Sequence, residues 1–332
     1  MAILPQESAS PAHDATGERC WVRLSGETMA VLYIAVIAAI ASATGAFYVL
    51  FPELGALSHD VLTRPRGAWA KAPVLLAITP PLTGIIGIFF TRILPYGYMS
   101  VLLTVGSSIA VVLALESPIA PAISAALLPL MLGVKSWWYP PGILLGTVLL
   151  AALSMLRQRV LPDYYRPTTE SLVDDAIELA PRGYWWLAAL MGFVVVAIFF
   201  VELSGLRFIL FPPLVVIGFE MFGHTAICPW AQRPLRLPAA CFLTALGGFL
   251  LWKWMGAVPA AVFSMAWGIF VLRCFDLHVP PALAVALLPL VMDSPTIAYP
   301  LSVGAGTLLM TLWFLACRRA LGILPADPRR TD

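Results

Sequence analysis

The chain has 332 residues, of which 60% are hydrophobic and only 11% are charged, against roughly 25% charged residues in ordinary soluble domains. The mean hydropathy of +0.89 excludes a water-exposed monomer, and the net charge of +2 gives no basis for nucleic-acid binding. These values predict an integral membrane protein whose main partner is the lipid bilayer.

In chain order, residues 1–27 are polar and mixed, and we expect them to form a cytoplasmic tail without a secretory signal. A helix that crosses a bilayer needs about 20 apolar residues. Eight segments come near that length, four in each half of the chain. They are 29–50, 72–91, 97–115, 137–156, 186–206, 238–255, 257–275 and 296–317. These segments predict an all-α, polytopic transmembrane helix bundle.

Shorter apolar pieces lie between these segments. Residues 118–133, 212–222 and 280–292 each begin at proline, which suits a helix start because its missing N–H would be unpaired there anyway. Pieces of this length are typical of re-entrant or interfacial segments, so we expect re-entrant half-helices. The fourth counterpart, 51–54, soon turns polar at 58–60, and we interpret it as degenerate.

Part of the sequence occurs twice at a constant spacing. Residues 121–147 are matched by 281–307 without a gap, 160 positions later. PAISAALLPL is answered by PALAVALLPL, and the spacing also pairs prolines, glycines and a tyrosine. A duplicated membrane module with broken hydrophobic segments is a common plan for transporters. The spacing predicts two tandem four-helix repeats, which we assign to 28–160 and 185–320.

A polar linker, 161–184, joins the two repeats, and a second cytoplasmic tail, 321–332, follows them. Within the linker, TTESLVDDAIEL can form a short amphipathic helix, which we expect to lie on the surface. If the half-helices do not cross the membrane, each repeat has four spans; if they cross, each has five and the repeats are inverted. The arginines and lysines of the loops favour four spans, with both termini in the cytoplasm of a bacterial inner membrane.

The second repeat carries a recognisable pattern. PWAQRPLRLPAACFLTALGGFL at 229–250 and LHVPPALAVALLP at 277–289 resemble two motifs of the HPP family of integral membrane proteins. The first is a loop that leads into a glycine-rich helix, and the second is the family's naming motif. Val279 separates His278 from the two prolines here, which departs from that motif. The resemblance covers about 205–320 and implies a helical membrane protein; some members are described as nitrite transporters.

The proline-led starts of two half-helices form the first candidate site. One start has Pro212 and Pro213, and the other has Pro280 and Pro281. A helix N-terminus carries roughly half a positive charge and several unpaired N–H donors. Two such ends that face each other near the bilayer midplane would bind a small anion without any charged side chain. We therefore take these four prolines as substrate-binding candidates.

Four titratable residues complete the candidate set. Arg273, Asp276 and His278 lie just before the last half-helix, where the histidine could shuttle protons and the arginine could pair with Asp276 or hold an anion. Glu202 lies in an apolar stretch, where an ionisable group is destabilising unless it is paired. The alternative places all four at the membrane–water boundary. Glu220 is expected to pair with an arginine of the following loop or to be solvated.

The leading hypothesis is a transporter or channel for a small solute, in particular a small anion such as nitrite. One alternative is a non-transporting scaffold or sensor, and another is an intramembrane enzyme that acts on lipid. No motif of a soluble-type enzyme is present, so we expect no enzymatic activity. The five cysteines show no metal spacing, and neither a metal nor a cofactor is expected. A homo-oligomer is compatible with the sequence.

Overall fold

The computed structural model describes residues 12–160, 169–178, 181 and 183–320. Within these residues all regular structure is helical and no strand is found, which confirms the all-α prediction. The α-helices in chain order are α1 (Ala12–Thr44), α2 (Glu53–Thr63), α3 (Ala68–Lys71), α4 (Pro73–Ile93), α5 (Tyr98–Ala114), α6 (Ala122–Leu132), α7 (Tyr139–Val160), α8 (Thr169–Ile177), α9 (Trp185–Ser204), α10 (Pro212–Gly223), α11 (Pro229–Gln232), α12 (Arg236–Trp254), α13 (Ala257–Phe275), α14 (Pro281–Leu287) and α15 (Ala298–Ala320). Short 3-10 turns precede α2 and α10 and follow α14.

Seven of the described helices are long and apolar enough to cross a bilayer. They are α1 from Trp21 onward, α4, α7, α9, α12, α13 and α15. The remaining predicted segment, 97–115, corresponds to α5, which is apolar but only 17 residues long. The chain therefore has the helices of a polytopic membrane protein, in agreement with the predicted bundle.

Helix α1 begins at Ala12, inside the segment 1–27 for which the sequence predicts a tail. Its apolar stretch begins at Trp21, and Arg23 Nε lies 3.4 Å from Glu27 Oε1 one helical turn later. Because such a pair stabilises a helix, these charged residues continue α1 rather than end it. The tail predicted at 321–332 and the first part of the linker lie outside the described residues.

Four short helices, α2, α6, α10 and α14, form the centre of the bundle. Helix α2 contacts α14, α10 contacts both α6 and α14, and the long helices pack around them. All residues of α2 and α14 are buried, as are 212–222 of α10 and 122–131 of α6. A helix that is apolar on all sides belongs inside a protein, which accounts for α6 and α14. Helix α2 differs, because it carries several polar side chains into the same buried position.

The predicted re-entrant course of the short segments is not confirmed. Ile209, just before α10, lies against Gly306 of α15, where an added Cβ would be 2.0 Å from the Ile209 carbonyl oxygen. At the other end of α10, the Phe222 ring centroid is 5.7 Å from that of Phe314. Both contacts advance in the same direction along the two helices, so α10 runs parallel to α15.

The span before α10 runs the other way. Trp313, late in α15, donates a hydrogen bond to the Ala189 carbonyl near the start of α9. Phe208, just after α9, packs on Tyr299 at the start of α15, with the ring centroids 5.4 Å apart. Helices α9 and α15 are therefore antiparallel. A re-entrant segment returns the chain to the end of the bundle from which it entered. Helix α10 instead carries the chain away from the end of α9 to the other end of the bundle, where α9 starts.

Corresponding positions of the two halves make the same contacts. Tyr139 of α7 donates to the Ala125 carbonyl at 2.8 Å, and Tyr299 of α15 donates to the Val285 carbonyl at 2.6 Å. Each bond joins a long helix to the short helix before it, and the two bonds are 160 positions apart. The two halves therefore share local structure at positions that the sequence spacing relates.

Two glycines let long helices touch the short ones backbone to backbone. A Cβ added at Gly87 of α4 would lie 2.1 Å from the Ala126 oxygen of α6, and one at Gly248 of α12 would lie 2.1 Å from the Ala286 oxygen of α14. Small residues at such crossings allow helices to associate in lipid, where no hydrophobic force acts between them. Neither position can accept a larger residue unless the helices move apart.

Gly248→Ala is expected to lower the free energy of unfolding by about 1–3 kcal/mol, because the new methyl group overlaps the Ala286 carbonyl. Gly106→Ala on α5 is the matched control, since the nearest atom to its added Cβ is Met191 Cε at 4.0 Å. Thermal unfolding of both variants in detergent measures the difference. Equal stability of the two variants would contradict the close contact of α12 with α14.

Candidate functional site

Helix α2 brings polar side chains into the buried centre. Ser58, His59, Asp60 and Thr63 are all buried, and Arg64 follows directly after the helix. Arg64 Nη1 lies 2.7 Å from Asp60 Oδ1, one helical turn away. The interpretation of this segment as degenerate is therefore wrong. A polar stretch is solvated only where water reaches it, and here the neighbouring helices exclude water.

The linker supplies further carboxylates to the same arginine. Glu178 Oε1 lies 2.6 Å from Arg64 Nη1, and Asp175 both pairs with Arg64 Nη2 and accepts the Ala68 N–H at 3.0 Å. Asp174 Oδ2 is 4.0 Å from Arg64 Nη1. A buried cation needs carboxylates close by. Helix α8 is therefore docked on the bundle and is more than the surface connection that the sequence predicts.

His278 joins this cluster from the segment between α13 and α14. Its Nε2 lies 3.7 Å from Asp60 Oδ1 and 3.6 Å from Asp174 Oδ2, distances at which a protonated imidazole forms ion pairs. The His59 ring of α2 is 6.1 Å from the His278 ring. The predicted site residue His278 thus lies in a buried charged cluster, with acidic partners from other parts of the chain than expected.

A second group of charges adjoins the first at α1. Arg273 Nη2 pairs with Glu27 Oε2, and Arg23 Nε is 3.4 Å from the other oxygen of Glu27. His59 Nε2 lies 4.0 Å from that same oxygen, so His59 stands between the two groups. The expected pairing of Arg273 with Asp276 is not found, and Arg273 instead ties α13 to α1.

Two predicted site residues lie away from this cluster. The Asp276 side chain is 80% exposed, and its Oδ2 is 2.5 Å from Arg233 Nη1. That guanidinium holds the pKa of Asp276 below its usual range, through the hydrogen bond and its charge. Glu202 is exposed in the last turn of α9, near Tyr98. Both carboxylates face outward, so neither takes part in the buried cluster.

A small cavity of about 10 Å³, room for about one water molecule, opens inside the cluster. It is lined mainly by charged and aromatic side chains from both halves of the chain. They are Arg64, Trp69, Asp174, Ile177, Glu178, Glu220, Trp230, His278 and Pro280. Typical small-molecule pockets span roughly 300–1,000 Å³, so this cavity, as it stands, suits a water molecule or a proton. Among the described residues no group of three His, Cys, Asp or Glu is placed to hold a metal ion.

Several polar atoms of the cavity lining have no hydrogen-bond partner among the described residues. Trp69 of α3 and Trp230 of α11 are buried, and neither indole N–H finds an acceptor. Glu178 and Glu220 each have a buried Oε2 without a hydrogen bond. Buried polar atoms are rarely left unpaired in proteins. This combination of donors and acceptors is therefore suited to a bound solute or to water.

The cavity lies between equivalent parts of the two halves. Glu220 stands 160 positions after Asp60, and each lies near the end of its short helix, α10 or α2. The four-residue helices that follow, α3 and α11, carry the two tryptophans. Arg64 has His224 at its equivalent position. The two halves thus contribute the same layout with different charges.

The predicted proline-led starts of α10 and α14 do not face each other. Pro280 lines the cavity together with Glu220, which lies in the last turns of α10. Pro212 and Pro213 are buried at the opposite end of α10, and Pro281 is buried at the start of α14. The start of α14 therefore lies beside the end of α10, and the expected anion site between two facing helix starts is not formed.

No family model, curated protein or solved structure matches this chain. The resemblance to the HPP family therefore stays a prediction. The function has to be argued from the buried cluster and its cavity.

The acidic part of the cluster was not predicted from the sequence. Asp60 and Arg64, four residues apart beside an apolar stretch, are a signal of a buried helical ion pair. Asp174 and Asp175 gave no comparable signal, because the carboxylates of a polar linker are usually solvated. Only the fold brings Asp175 to Arg64, 111 positions away.

Arg64→Ala is expected to destabilise the protein by roughly 3–5 kcal/mol, because it leaves the carboxylates of Asp60 and Asp175 without their counter-charge. Arg233→Ala is the matched control, since its ion pair is exposed and such pairs contribute at most about 1 kcal/mol. Thermal unfolding in detergent measures both. If the two variants unfold at the same temperature, Arg64 is not the counter-charge that holds the linker.

Burial raises the pKa of Glu178 well above its usual range, and the neighbouring Asp60 carboxylate raises it further, against the opposing effect of Arg64. The folded state therefore binds this proton more tightly than the unfolded state. The resulting stability is fully present below the ordinary glutamate pKa of about 4.3 and is lost as pH rises through the raised folded pKa.

Hydrogen exchange of the α8 amides is therefore expected to speed up as pH rises through that window, beyond the intrinsic effect of pH. Glu178→Gln, which is neutral at every pH, should remove this extra dependence. Unchanged behaviour of that variant would assign the pH dependence to another group.

Proposed function

We propose that this protein is a transporter for a small solute in the bacterial inner membrane, and that the cavity between α2, α8 and α10 is its binding site. Its long apolar helices support a membrane location. The observation that carries the proposal is the group of buried ionisable side chains around the cavity, among them Asp60 and Glu220. Ionisable groups inside a membrane bundle are destabilising and mark solute or proton pathways by default.

A scaffold or sensor, which the sequence leaves open, would not need these charges. Replacing buried ion pairs by packed hydrophobic residues is often stabilising, so a purely structural bundle gains nothing from them. Helix α14 has an apolar sequence throughout, whereas α2 has the same burial and keeps its charges. The charges of α2 therefore support a function at the cavity.

The charge balance of the cavity favours proton coupling. Asp174, Glu178 and Glu220 line it together with a single arginine, Arg64, so an anion is repelled while all three carboxyl groups are ionised. Protonation of Glu178 or Glu220 weakens that repulsion. An anion then binds only together with protons, and the two cross the membrane together.

Hydrogen-bond donors are available for the anion itself. The indole N–H groups of Trp69 and Trp230 line the cavity, and neither has an acceptor among the described residues. The cavity has room for about one water molecule, so the side chains around it have to move apart before a small anion such as nitrite can bind to these donors. Nitrite is also the solute that the resemblance to the HPP family suggests.

We also propose that the chain is a tandem duplication of one HPP-like module with both termini in the cytoplasm. The shared tyrosine contacts support the duplication, as do the equivalent positions of Asp60 and Glu220. Basic residues end both α7 and α15. Because basic residues collect on the cytoplasmic side, this supports the same side for the end of each module.

Proteoliposomes that contain the purified protein test the proposal. With nitrite outside, we expect uptake above that of protein-free vesicles and faster at more acidic external pH, with internal acidification reported by a trapped dye. Glu220→Gln should lower the pH-driven uptake about tenfold or more, because it removes a titrating group of the cavity. Asp276→Asn is the control, since that side chain is exposed and its left-handed backbone suits asparagine.

The outcomes separate the parts of the proposal. No uptake of nitrite, nitrate or formate above protein-free vesicles, with folded protein present, would remove the anion transporter. Uptake that is indifferent to the pH gradient and equal in wild type and Glu220→Gln would contradict proton coupling alone.

A further inference from the structure

Glu53 forms a second buried acidic position, away from the cavity. It is the first residue of α2, it has 0% exposure, and neither carboxyl oxygen has a hydrogen-bond partner. The Ser124 hydroxyl of α6 and the backbone N–H of Glu53 lie near the carboxyl group, but neither reaches hydrogen-bond geometry. A buried charge without partners is strongly destabilising. Glu53 therefore needs a proton or a bound ligand.

Two tyrosines near Glu53 are neutral and already engaged in hydrogen bonds. Tyr139 of α7 and Tyr299 of α15 lie near it, and both donate their hydroxyl hydrogens to main-chain carbonyls. Cys241 of α12 lies beside Tyr299. None of these groups supplies a positive charge to an ionised Glu53.

The other helices packed on α2 bring no counter-charge to this end of it. Helix α14 contains no titratable side chain. Glu27 of α1 approaches His59 in the second half of α2, and Lys71 of α3 pairs with Asp175 of the linker. Among the described residues Glu53 therefore has no ion pair, and a proton is the simplest way to neutralise it.

The fold itself does not require an acid at this position. Pro213 stands 160 positions later, at the start of the equally buried α10. The two halves share the short helix, and only the first half carries the carboxyl group. A structural carboxyl group is normally held by hydrogen bonds, which Glu53 lacks.

Glu53 lies on the same face of α2 as Asp60. The seven residues that separate them make about two helical turns, which puts the two residues about 10 Å apart along the axis. Asp60 contacts Arg64 and His278 at the cavity. Helix α2 therefore carries one acid that is paired with Arg64 near the cavity and a second, unpaired acid deep among the short helices.

We propose that Glu53 is a proton-binding site on a path that runs along α2 between the cavity and the opposite side of the membrane. The inference rests on the proposed function, because the proton bound by Glu53 is the one that moves with the solute. Binding converts the carboxylate into a neutral carboxyl group, and release passes the proton to water on the way to the cavity. Water has to bridge Glu53 and the cavity end of α2, since about 10 Å exceeds a direct hydrogen bond.

Infrared spectroscopy of the protein in lipid vesicles measures a protonated carboxyl group without any transport. At neutral pH, wild type is expected to show a carboxyl C=O component that Glu53→Gln lacks, whereas an exposed glutamate is ionised above about pH 5. Glu202→Gln is the matched control and should keep that component, because Glu202 is exposed. Identical carboxyl spectra of wild type and Glu53→Gln between about pH 5 and pH 9 would overturn the proposal.

Transport by the same variant separates this proposal from the proposed function. Glu53→Gln is expected to lose pH-driven nitrite uptake about tenfold or more, while nitrite exchange at equal pH persists. If wild type transports nothing, the proposed function fails, and the infrared component still decides whether Glu53 binds a proton. A present component with unchanged uptake in Glu53→Gln would take Glu53 off the path and overturn the proposal.

Glu53→Asp covers the case in which Glu53→Gln does not fold. It keeps the titratable group on a shorter stem, so the infrared component should persist at a shifted frequency and the uptake should fall. A component at the wild-type frequency in this variant would assign the signal to another carboxyl group and overturn the proposal.

Discussion

A guanidinium buried among helices has to be surrounded by carboxylates, and the chain meets this need around Arg64. Asp60 comes from the same helical segment, whereas Asp175 and Glu178 come from the linker, 111 and 114 positions away. Removing a cation from water costs several kcal/mol, which only close and well-oriented carboxylates offset. The position of α8 is therefore set largely by electrostatics, and the linker becomes part of the site.

The rest of the centre is held by close backbone contact. Lipid tails are as apolar as leucine, so burying apolar surface does not by itself associate helices in a membrane. Gly87 and Gly248 let long helices approach the carbonyls of short ones, and Tyr139 and Tyr299 add hydrogen bonds to the same short helices. The short helices are thus fixed by main-chain contacts, which gives α2 a firm frame for its charges.

Apolar length predicted the spans because crossing a bilayer imposes about 20 apolar residues on each of them. Residues that the repeat spacing relates make like contacts in one case, that of Tyr139 and Tyr299, while the duplication itself stays a prediction. The charged site was harder, because hydropathy cannot distinguish a solvated Asp60 or Asp175 from a buried one. The prediction that two helix starts face each other was wrong for a related reason. The direction of a short helix depends on tertiary contacts, such as that of Ile209 with Gly306, and apolar composition does not reveal these contacts.

The two halves carry different charged residues at the cavity, and this difference determines which of its acids can bind a proton. Asp60 and Glu220 occupy equivalent positions, but four residues later the first half has Arg64 and the second has His224. Arginine keeps its charge at any physiological pH, so Asp60 is held in a lasting ion pair. Glu220 retains a buried oxygen without a partner, and its charge can respond to the supply of protons. If both acids were paired with an arginine, neither could titrate, and if neither were paired, α8 would lose the ion pairs that hold it. With Asp60 paired and Glu220 unpaired by arginine, the cavity can bind protons while the linker stays in place.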